Sequence, residues 1–166
     1  MSAGSASARR KQLHPSLSGD DLAERIDGIV HEPTQRGDSG IDLTVAEVYE
    51  IEEAGRVDFG GGELEAAERS PHERTWRNAD DDYQWWHLEG GGYLIEYNES
   101  LRGTESVVVE TREAVLRRGA FHPTVRVASF DHIPLQVGTG GLKLKENARV
   151  STVRRDGTPG YTPGHE

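Results

Sequence analysis

The chain contains no cysteine, and this absence removes several kinds of chemistry at once. Disulfides, thiolate nucleophiles and cysteine-ligated zinc sites are excluded, because each needs the sulfur atom of that residue. Long apolar stretches are missing as well. No run approaches the roughly 18 residues of a membrane-spanning helix, and the start, MSAGSASARRKQ, lacks the apolar centre of a signal peptide. The sequence therefore predicts a cytoplasmic protein that does not enter a membrane.

Basic residues are few relative to acidic ones. The 166 residues include 19 lysines and arginines against 29 aspartates and glutamates, which gives a formal net charge of −10. Such a potential repels nucleic acid, so no nucleic-acid partner is expected, and an anionic small substrate requires a local cluster of arginines. A chain of this length suits one domain with its own core.

Catalytic signatures with a fixed spacing are also absent. The seven histidines show no HExxH spacing, and there is no GxSxG motif. The glycine run at residues 60–62 lacks the Lys–Ser/Thr pair of a phosphate-binding loop. A Ser/His/acid triad assembled from distant residues stays open.

Short apolar runs separated by turn residues make up most of the chain. Residues 41–51 alternate apolar and polar side chains, and β-like runs follow in GGYLIEYNE, SVVVE, TVRVASF, IPLQV, LKLK and ARVSTV. One short helix is indicated near the N-terminus by LSGDDLAERIDGIV, where Leu22, Ile26 and Ile29 or Val30 share a face. The pattern predicts a mainly β protein of the sandwich or barrel type.

Composition divides the chain into three parts. Residues 1–16 are rich in Ser, Ala and Gly and predict a disordered tail, residues 17–154 form the β domain, and residues 155–166 predict a flexible arm rich in Gly and Pro. Within the domain, the polar and acidic residues 55–82 indicate a flexible insertion with at most a short hairpin.

Trp85 and Trp86 precede a predicted strand. We interpret them as core or subunit packing, because they stand at strand spacing and no basic residue is adjacent to them in sequence. A platform on which nucleic-acid bases stack is the alternative.

The stretch ETREAVLRRG concentrates three arginines, Arg112, Arg117 and Arg118, in an acidic chain. Guanidinium groups match phosphate oxygens with two parallel hydrogen bonds and keep their charge at any cellular pH. The stretch is therefore a candidate phosphate site. The alternative is a solvated helix face whose arginines balance Glu110 and Glu113.

Asp42 interrupts the apolar alternation of SGIDLTV with a carboxylate. Two interpretations stay open at this point. The side chain either faces solvent on the wet side of the strand or is placed there to act on a ligand.

Five landmarks in order, LSGDDLAERI, SGIDLTV, GGYLIEYNE, TREAVLRRG and ENARVSTV, resemble those of the dCTP deaminase/dUTPase family, most closely its archaeal members. The resemblance spans about Leu17 to Tyr161. It implies a distorted jelly-roll of β-strands, a homotrimer with active sites between subunits, and a magnesium–triphosphate substrate whose metal has few direct protein ligands. Members of the family hydrolyse dUTP to dUMP and pyrophosphate, or deaminate dCTP to dUTP without zinc.

Several residues match the motifs of that family. By the resemblance, Asp42 takes the place of the aspartate that orients water around the metal–triphosphate, and Arg112 and Arg117 take the two arginine positions of an Arg-Ser-Ser-x-x-Arg motif. Thr152 replaces the glutamine of the fourth motif, and Tyr161 takes the place of the aromatic residue that closes over the base.

Other positions depart from the family pattern. Glu113 and Ala114 replace the two serines that would donate to phosphate oxygens, and a glutamate there sets a negative charge beside the triphosphate. Ala128 stands where the catalytic aspartate is expected, so Asp131 is the nearest carboxylate that could substitute as the base. Losing general-base assistance costs roughly two to four orders of magnitude in rate.

The sequence thus predicts a divergent family member that binds a deoxynucleoside triphosphate with weak or lost catalysis. Two alternatives remain. One is an active dUTP diphosphatase or dCTP deaminase, and the other is a structural or partner-binding β-domain.

Overall fold

The computed structural model describes residues 19–157, so the predicted tail (1–16) and residues 158–166 of the predicted arm lie outside the described part. Its longest strand, Gly40–Glu53, carries the predicted alternation: Ile41, Leu43 and Val45 are fully buried. Asp42 sits between two of them and, because successive side chains of a strand point to opposite faces, projects from the other side.

Thirteen strands and three short helices make up the described residues. The strands are β1 (Ile26–Asp27), β2 (Arg36–Gly37), β3 (Gly40–Glu53), β4 (Glu68–Pro71), β5 (Trp85–Leu88), β6 (Gly91–Tyr97), β7 (Ser100–Leu101), β8 (Val107–Thr111), β9 (Ala120–Phe121), β10 (Val125–Val127), β11 (Ile133–Val137), β12 (Leu142–Lys145) and β13 (Arg149–Arg155). The helices are α1 (Gly19–Glu24), α2 (Glu32–Gln35) and α3 (Glu113–Leu116). Across residues 19–157, no helix has the length and apolar character needed to traverse a bilayer.

The strands form one large antiparallel sheet and two short pairs. The order along the large sheet is β10-β8-β13-β3-β6-β11-β9, and β2 and β4 also pair with β3. The last described strand, β13, therefore lies in the middle, between β8 and β3. The predicted mainly β fold is confirmed, and each β-like run beyond residue 100 contains a strand.

The core is built from the apolar faces of these strands, and its largest fully buried side chain is Trp86. Pairing of β5 with β12 places Trp86 opposite Leu144 and Trp85 opposite Lys145. The interpretation of Trp86 as a core residue is confirmed. Trp85, one position earlier, points the other way and is only half-buried.

The N-terminal helix is shorter than predicted, and it is not the only helix among the described residues. It ends at Glu24, because Ile26 pairs with Leu101 in β1–β7 and the chain then turns at Gly28 with φ +81°. A side chain at Gly28 would approach the Asn98 carbonyl oxygen to 2.6 Å, so the turn requires glycine. Tertiary pairing here overrides local helix propensity, and Val30 is left exposed instead of sharing a buried face.

The predicted insertion contains a β-hairpin. β3 continues to Glu53 and pairs with β4, and beyond them the backbone groups of Arg56 and Glu65 exchange hydrogen bonds of 2.8 and 3.0 Å. From here on, "the arm" means residues 50–71 and not the predicted C-terminal arm. We call residues 57–64 the tip of the arm. The tip carries three exposed apolar side chains, Val57, Phe59 and Leu64.

Candidate functional site

An open cleft of about 810 Å³ lies where β3, β8 and β13 meet α3. We call it the arginine cleft. It brings together four of the site residues predicted from sequence, Asp42, Arg112, Arg117 and Thr152. Its other lining residues are Gly37, Ser39, Glu110, Thr111, Glu113, Ala114, Leu116 and Arg118.

Asp42 is held in this cleft by two hydrogen bonds and a second arginine. Thr152, its direct partner across β3–β13, donates its hydroxyl to Oδ1 at 2.8 Å. Arg149 donates to Oδ2 at 3.0 Å, and the Nε of Arg112 lies 3.3 Å from the same oxygen. Only 15% of the Asp42 side chain is exposed. The carboxylate is therefore the centre of an ionic cluster and not a solvated strand residue.

Arg112 is fixed at the junction of β8 and α3. It is the N-cap residue of α3, its backbone N–H donates to the Val150 carbonyl at 3.0 Å, and its Nη1 donates to the Arg149 carbonyl at 3.0 Å. These contacts anchor both the backbone and the guanidinium. The side chain is consequently directed at Asp42 across the cleft.

Arg117 lies at the other end of α3 and is paired differently. Its Nε and Nη2 donate to one carboxylate oxygen of Glu113 at 3.0 and 2.7 Å, across one helical turn. Both side chains are about three-quarters exposed, at 73% and 75%, so the pair is a weak one. By the family resemblance, Glu113 replaces a serine of the motif. Its carboxylate thus takes the hydrogen bonds that Arg117 would otherwise donate to a phosphate.

Comparisons with known proteins give matches in sequence and in fold. A protein of Methanosarcina acetivorans named probable deoxyuridine 5′-triphosphate nucleotidohydrolase is 29% identical over 135 residues, covering 75% of this chain and 74% of the relative. A Methanosarcina mazei protein of the same name matches with the same identity and coverage. The solved structure of a 2′-deoxycytidine 5′-triphosphate deaminase from Agrobacterium tumefaciens matches 79% of this chain with a TM-score of 0.54. These matches support the dCTP deaminase/dUTPase family that the sequence resembles.

The structural match confirms the predicted dUTPase-like jelly-roll fold. At 13% identity, and covering 43% of the deaminase chain, it is a likeness of fold. No family model matches the chain.

Of the two further residues predicted from the family resemblance, the structure describes Asp131, which lies elsewhere. Asp131 is exposed on the loop between β10 and β11, accepts a hydrogen bond from the Ser129 hydroxyl at 3.1 Å, and lines a separate, mostly apolar cavity of about 130 Å³. Within one chain, it is not part of the arginine cleft. Tyr161 lies outside the described residues.

Sequence reasoning missed two arginines that pair with carboxylates of the arginine cleft. Arg149 contacts Asp42, and Arg154 pairs with Glu110 at 2.9 Å. Both stand on β13 beside the fourth-motif position. The antiparallel pairing sets Thr152 opposite both Asp42 and Glu110, so Arg154, two residues further on, shares that face. Arg149 lies beyond the register irregularity of β13, and no pattern in the sequence indicated its contact.

Behind the cleft, a buried carboxylate ties α2 to the sheet. Glu99 is 3% exposed and accepts hydrogen bonds from the Thr44 N–H at 3.1 and 3.0 Å, the Thr44 hydroxyl at 2.6 Å and the Gln35 amide at 2.7 Å. Gln35 also donates to the backbone carbonyl of Asp42 at 2.9 Å. Burial raises the pKa of Glu99, while the hydrogen bonds from Thr44 and Gln35 oppose that rise. The network positions the Asp42 backbone, and nothing in the sequence indicated it.

The open question of a Ser/His pair is also resolved for the described residues. The Ser151 hydroxyl lies 2.7 Å from the Nε2 of His122, but Ser151 is fully buried and contacts the Tyr97 hydroxyl at 2.5 Å. The other ring nitrogen of His122 contacts the Pro123 carbonyl, not a carboxylate. Burial lowers the pKa of His122. This is a hydrogen-bonded core network that a substrate cannot reach.

Side chains suited to metal binding do not converge in the described part of the chain. Residues 19–157 contain no group of three or more His, Cys, Asp or Glu side chains placed to hold an ion.

Proposed function

We propose that this protein binds a deoxynucleoside triphosphate, carried with its magnesium, in the arginine cleft and turns it over weakly or not at all. It would do so in cytoplasmic deoxynucleotide metabolism, as a homotrimer of the family type. The similarity to probable dUTP nucleotidohydrolases and the convergence of Arg112 and Arg117 in one cleft support binding. Arginine–phosphate contacts are strong charge-assisted hydrogen bonds, so they tolerate losses elsewhere in the site.

The observation that carries the proposal is the pairing of both arginines with carboxylates. Arg112 lies 3.3 Å from Asp42, and Arg117 lies 2.7 Å from Glu113. A triphosphate has to compete with Glu113 for Arg117. It must also approach a cleft whose third carboxylate, Glu110, is held by Arg154.

Catalysis is expected to be weak because no carboxylate of the cleft is free to deprotonate the attacking water. All three carboxylates of the cleft are already engaged by arginines, and Ala128 stands where the family has its catalytic aspartate. Asp131 is the substitute base we propose, reaching a cleft from a neighbouring subunit. Its exposure on a loop supports this arrangement.

The proposal is tested by incubating the purified protein with dUTP or dCTP and magnesium, then measuring pyrophosphate and the identity of the base. We expect a nucleotide-dependent rise in melting temperature with little or no product. Turnover at an ordinary enzyme rate of about 1 to 1,000 per second would contradict weak catalysis. An absent thermal shift would instead favour the structural or partner-binding alternative. Where product does form, Asp131→Ala should abolish it.

Replacing Glu113 with serine should tighten triphosphate binding. The change frees Arg117 and removes a like charge from the cleft, and since the pair is exposed we expect about a threefold gain in affinity. Titration calorimetry with a dUTP analogue resistant to hydrolysis measures the effect. Glu105→Ser is the matched control, because that glutamate is also highly exposed (79%) and pairs with an arginine, Arg25, away from the cleft. Unchanged or weaker binding in Glu113→Ser would show that Glu113 does not compete with phosphate.

A further inference from the structure

The arm is strongly acidic and ends in apolar side chains that no other described residue covers. Residues 50–71 contain seven acidic and two basic residues. At the tip, Phe59 is fully exposed, Val57 is 90% exposed and Leu64 is 66% exposed. The tip is nevertheless an ordered turn, since the Glu63 N–H donates to the Asp58 carboxylate at 3.1 Å. Exposed apolar side chains clustered on a protruding element mark an interaction surface.

A second surface has the complementary character. The β5–β12 pair sets Lys143 opposite His87 and Lys145 opposite Trp85. The Lys145 ammonium lies 5.5 Å from the Trp85 ring centroid, and the Arg77 guanidinium lies 5.7 Å from it. We call these five residues the lysine face. It holds both lysines of the described part of the chain, and none of Arg77, Lys143 and Lys145 forms an ion pair with another described residue.

The structure thus corrects a premise of the sequence interpretation. Basic residues are not adjacent to Trp85 along the chain, but folding brings Arg77 and Lys145 over its ring. Unpaired cations around a half-buried aromatic residue form a binding surface for an anionic partner with apolar groups.

We propose that the arm tip of one copy of this chain docks on the lysine face of a second copy. The carboxylates of the arm would pair with Lys143, Lys145 and Arg77, while Phe59 and its apolar neighbours cover the face around Trp85. Within one chain, no hydrogen bond or ion pair found among the described residues joins the tip to this face, so the contact is one between molecules.

Charge and ring geometry favour this occupant over a single-stranded nucleic acid. The net charge of −10 opposes a long polyanion, whereas the arm presents a limited set of carboxylates together with an apolar tip. Base stacking needs an open ring face, and the Trp85 ring already has two cations over it. The proposal concerns surfaces outside the arginine cleft and is independent of nucleotide binding.

The absence of cysteine makes a direct test possible, because an introduced thiol is unique in each chain. Gly60→Cys places a thiol at the tip, where an added side chain meets nothing within 4 Å, and His87→Cys places one on the lysine face. The two full-length variants are mixed and treated with a short bis-maleimide. The matched control replaces His87→Cys with Phe121→Cys, an exposed residue on β9.

We expect the Gly60→Cys and His87→Cys mixture to give at least about tenfold more mixed dimer than the control mixture, because docking raises the effective concentration of the two thiols. Adding Phe59→Ser to the tip variant, or Lys143→Glu with Lys145→Glu to the face variant, should reduce the yield to the control level. Higher salt should lower it as well, since the charges are exposed.

Three results would overturn the proposal. One is a mixed-dimer yield no higher than with Phe121→Cys. Another is a yield that persists after both the Phe59→Ser and the double lysine changes. The third is binding of a single-stranded oligonucleotide that depends on Lys143 and Lys145, in a protein that shows no cross-linking, which would assign the face to nucleic acid. A far-ultraviolet spectrum of each variant confirms that it is folded, so the readout reports docking alone.

Discussion

Replacing Arg112 with alanine is expected to remove most of the nucleotide-dependent rise in melting temperature. Arg112 is the cleft arginine that is anchored at both backbone and guanidinium, and its loss removes a fixed donor to phosphate. We expect affinity to fall about a hundredfold. A ligand that stabilises the folded state by about 2.7 kcal/mol at 100 times its Kd would then contribute only about 0.4 kcal/mol at the same concentration. Differential scanning fluorimetry with dUTP or dCTP and magnesium measures the change.

Two controls separate binding from folding. Arg126→Ala removes an exposed arginine on β10 that pairs with Asp156, outside the cleft, and should leave the nucleotide effect intact. The unliganded Arg112→Ala chain should melt slightly earlier than the parent, because Asp42 keeps Arg149 and Thr152 but loses one partner. If the nucleotide effect is retained in Arg112→Ala, triphosphate does not bind where we place it.

Replacing Glu99 with alanine should produce the largest loss of stability. The change leaves the Thr44 N–H and hydroxyl and the Gln35 amide without their acceptor in the interior. An unsatisfied buried donor costs about 1 to 3 kcal/mol, so we expect the free energy of unfolding to fall by at least about 3 kcal/mol. Urea denaturation measures it. Glu105→Ala, which removes a largely exposed carboxylate, is the control and should change little. A comparably small effect of Glu99→Ala would mean that water replaces the lost acceptor.

The Glu99 carboxylate also makes the free energy of unfolding depend on pH in a predictable direction. Because burial raises the pKa of Glu99 above its ordinary value of 4.5, the folded state holds the proton more tightly than the unfolded state. The contribution of Glu99 to stability is therefore fully present below about pH 4.5 and is lost as pH rises through the raised pKa. The destabilisation caused by Glu99→Gln, measured against the parent at each pH, should shrink as pH rises across that window. A difference that grows with pH would reverse the assigned direction.

The strands that build the cleft could be predicted from sequence, but most of its contacts could not. Period-two alternation located β3 and β13, and the family motifs named Asp42, Arg112 and Thr152. The contact between Arg149 and Asp42 joins residues 107 positions apart, and an irregularity in the β13–β3 register falls between Arg149 and Ser151. A shift of register changes which side chains meet across a pair, and alternation alone does not reveal it.

Local patterns failed where distant parts of the chain decided the outcome. The predicted helix extends to Val30, but the observed helix ends at Glu24, because Ile26 pairs with Leu101 in the short β1–β7 ladder. Trp85 has no basic neighbour in the sequence. Lys145 comes to lie beside it only through the pairing of β12 with β5. Glu99 reads in sequence as an ordinary polar residue after a strand, and only the packing of α2 against β3 makes it a buried acceptor.

The central position of β13 determines when the protein can fold during synthesis. Asp42 and Thr152 face each other across β3–β13 although they are 110 residues apart. Until the ribosome releases β13, strands β3 and β8 both present unpaired edges, and such edges recruit other chains. Pairing over so long a separation is also slow. The nascent chain is thus open to aggregation until β13 emerges, and a chain truncated before Arg149 would lose the strand that joins the two halves of its sheet.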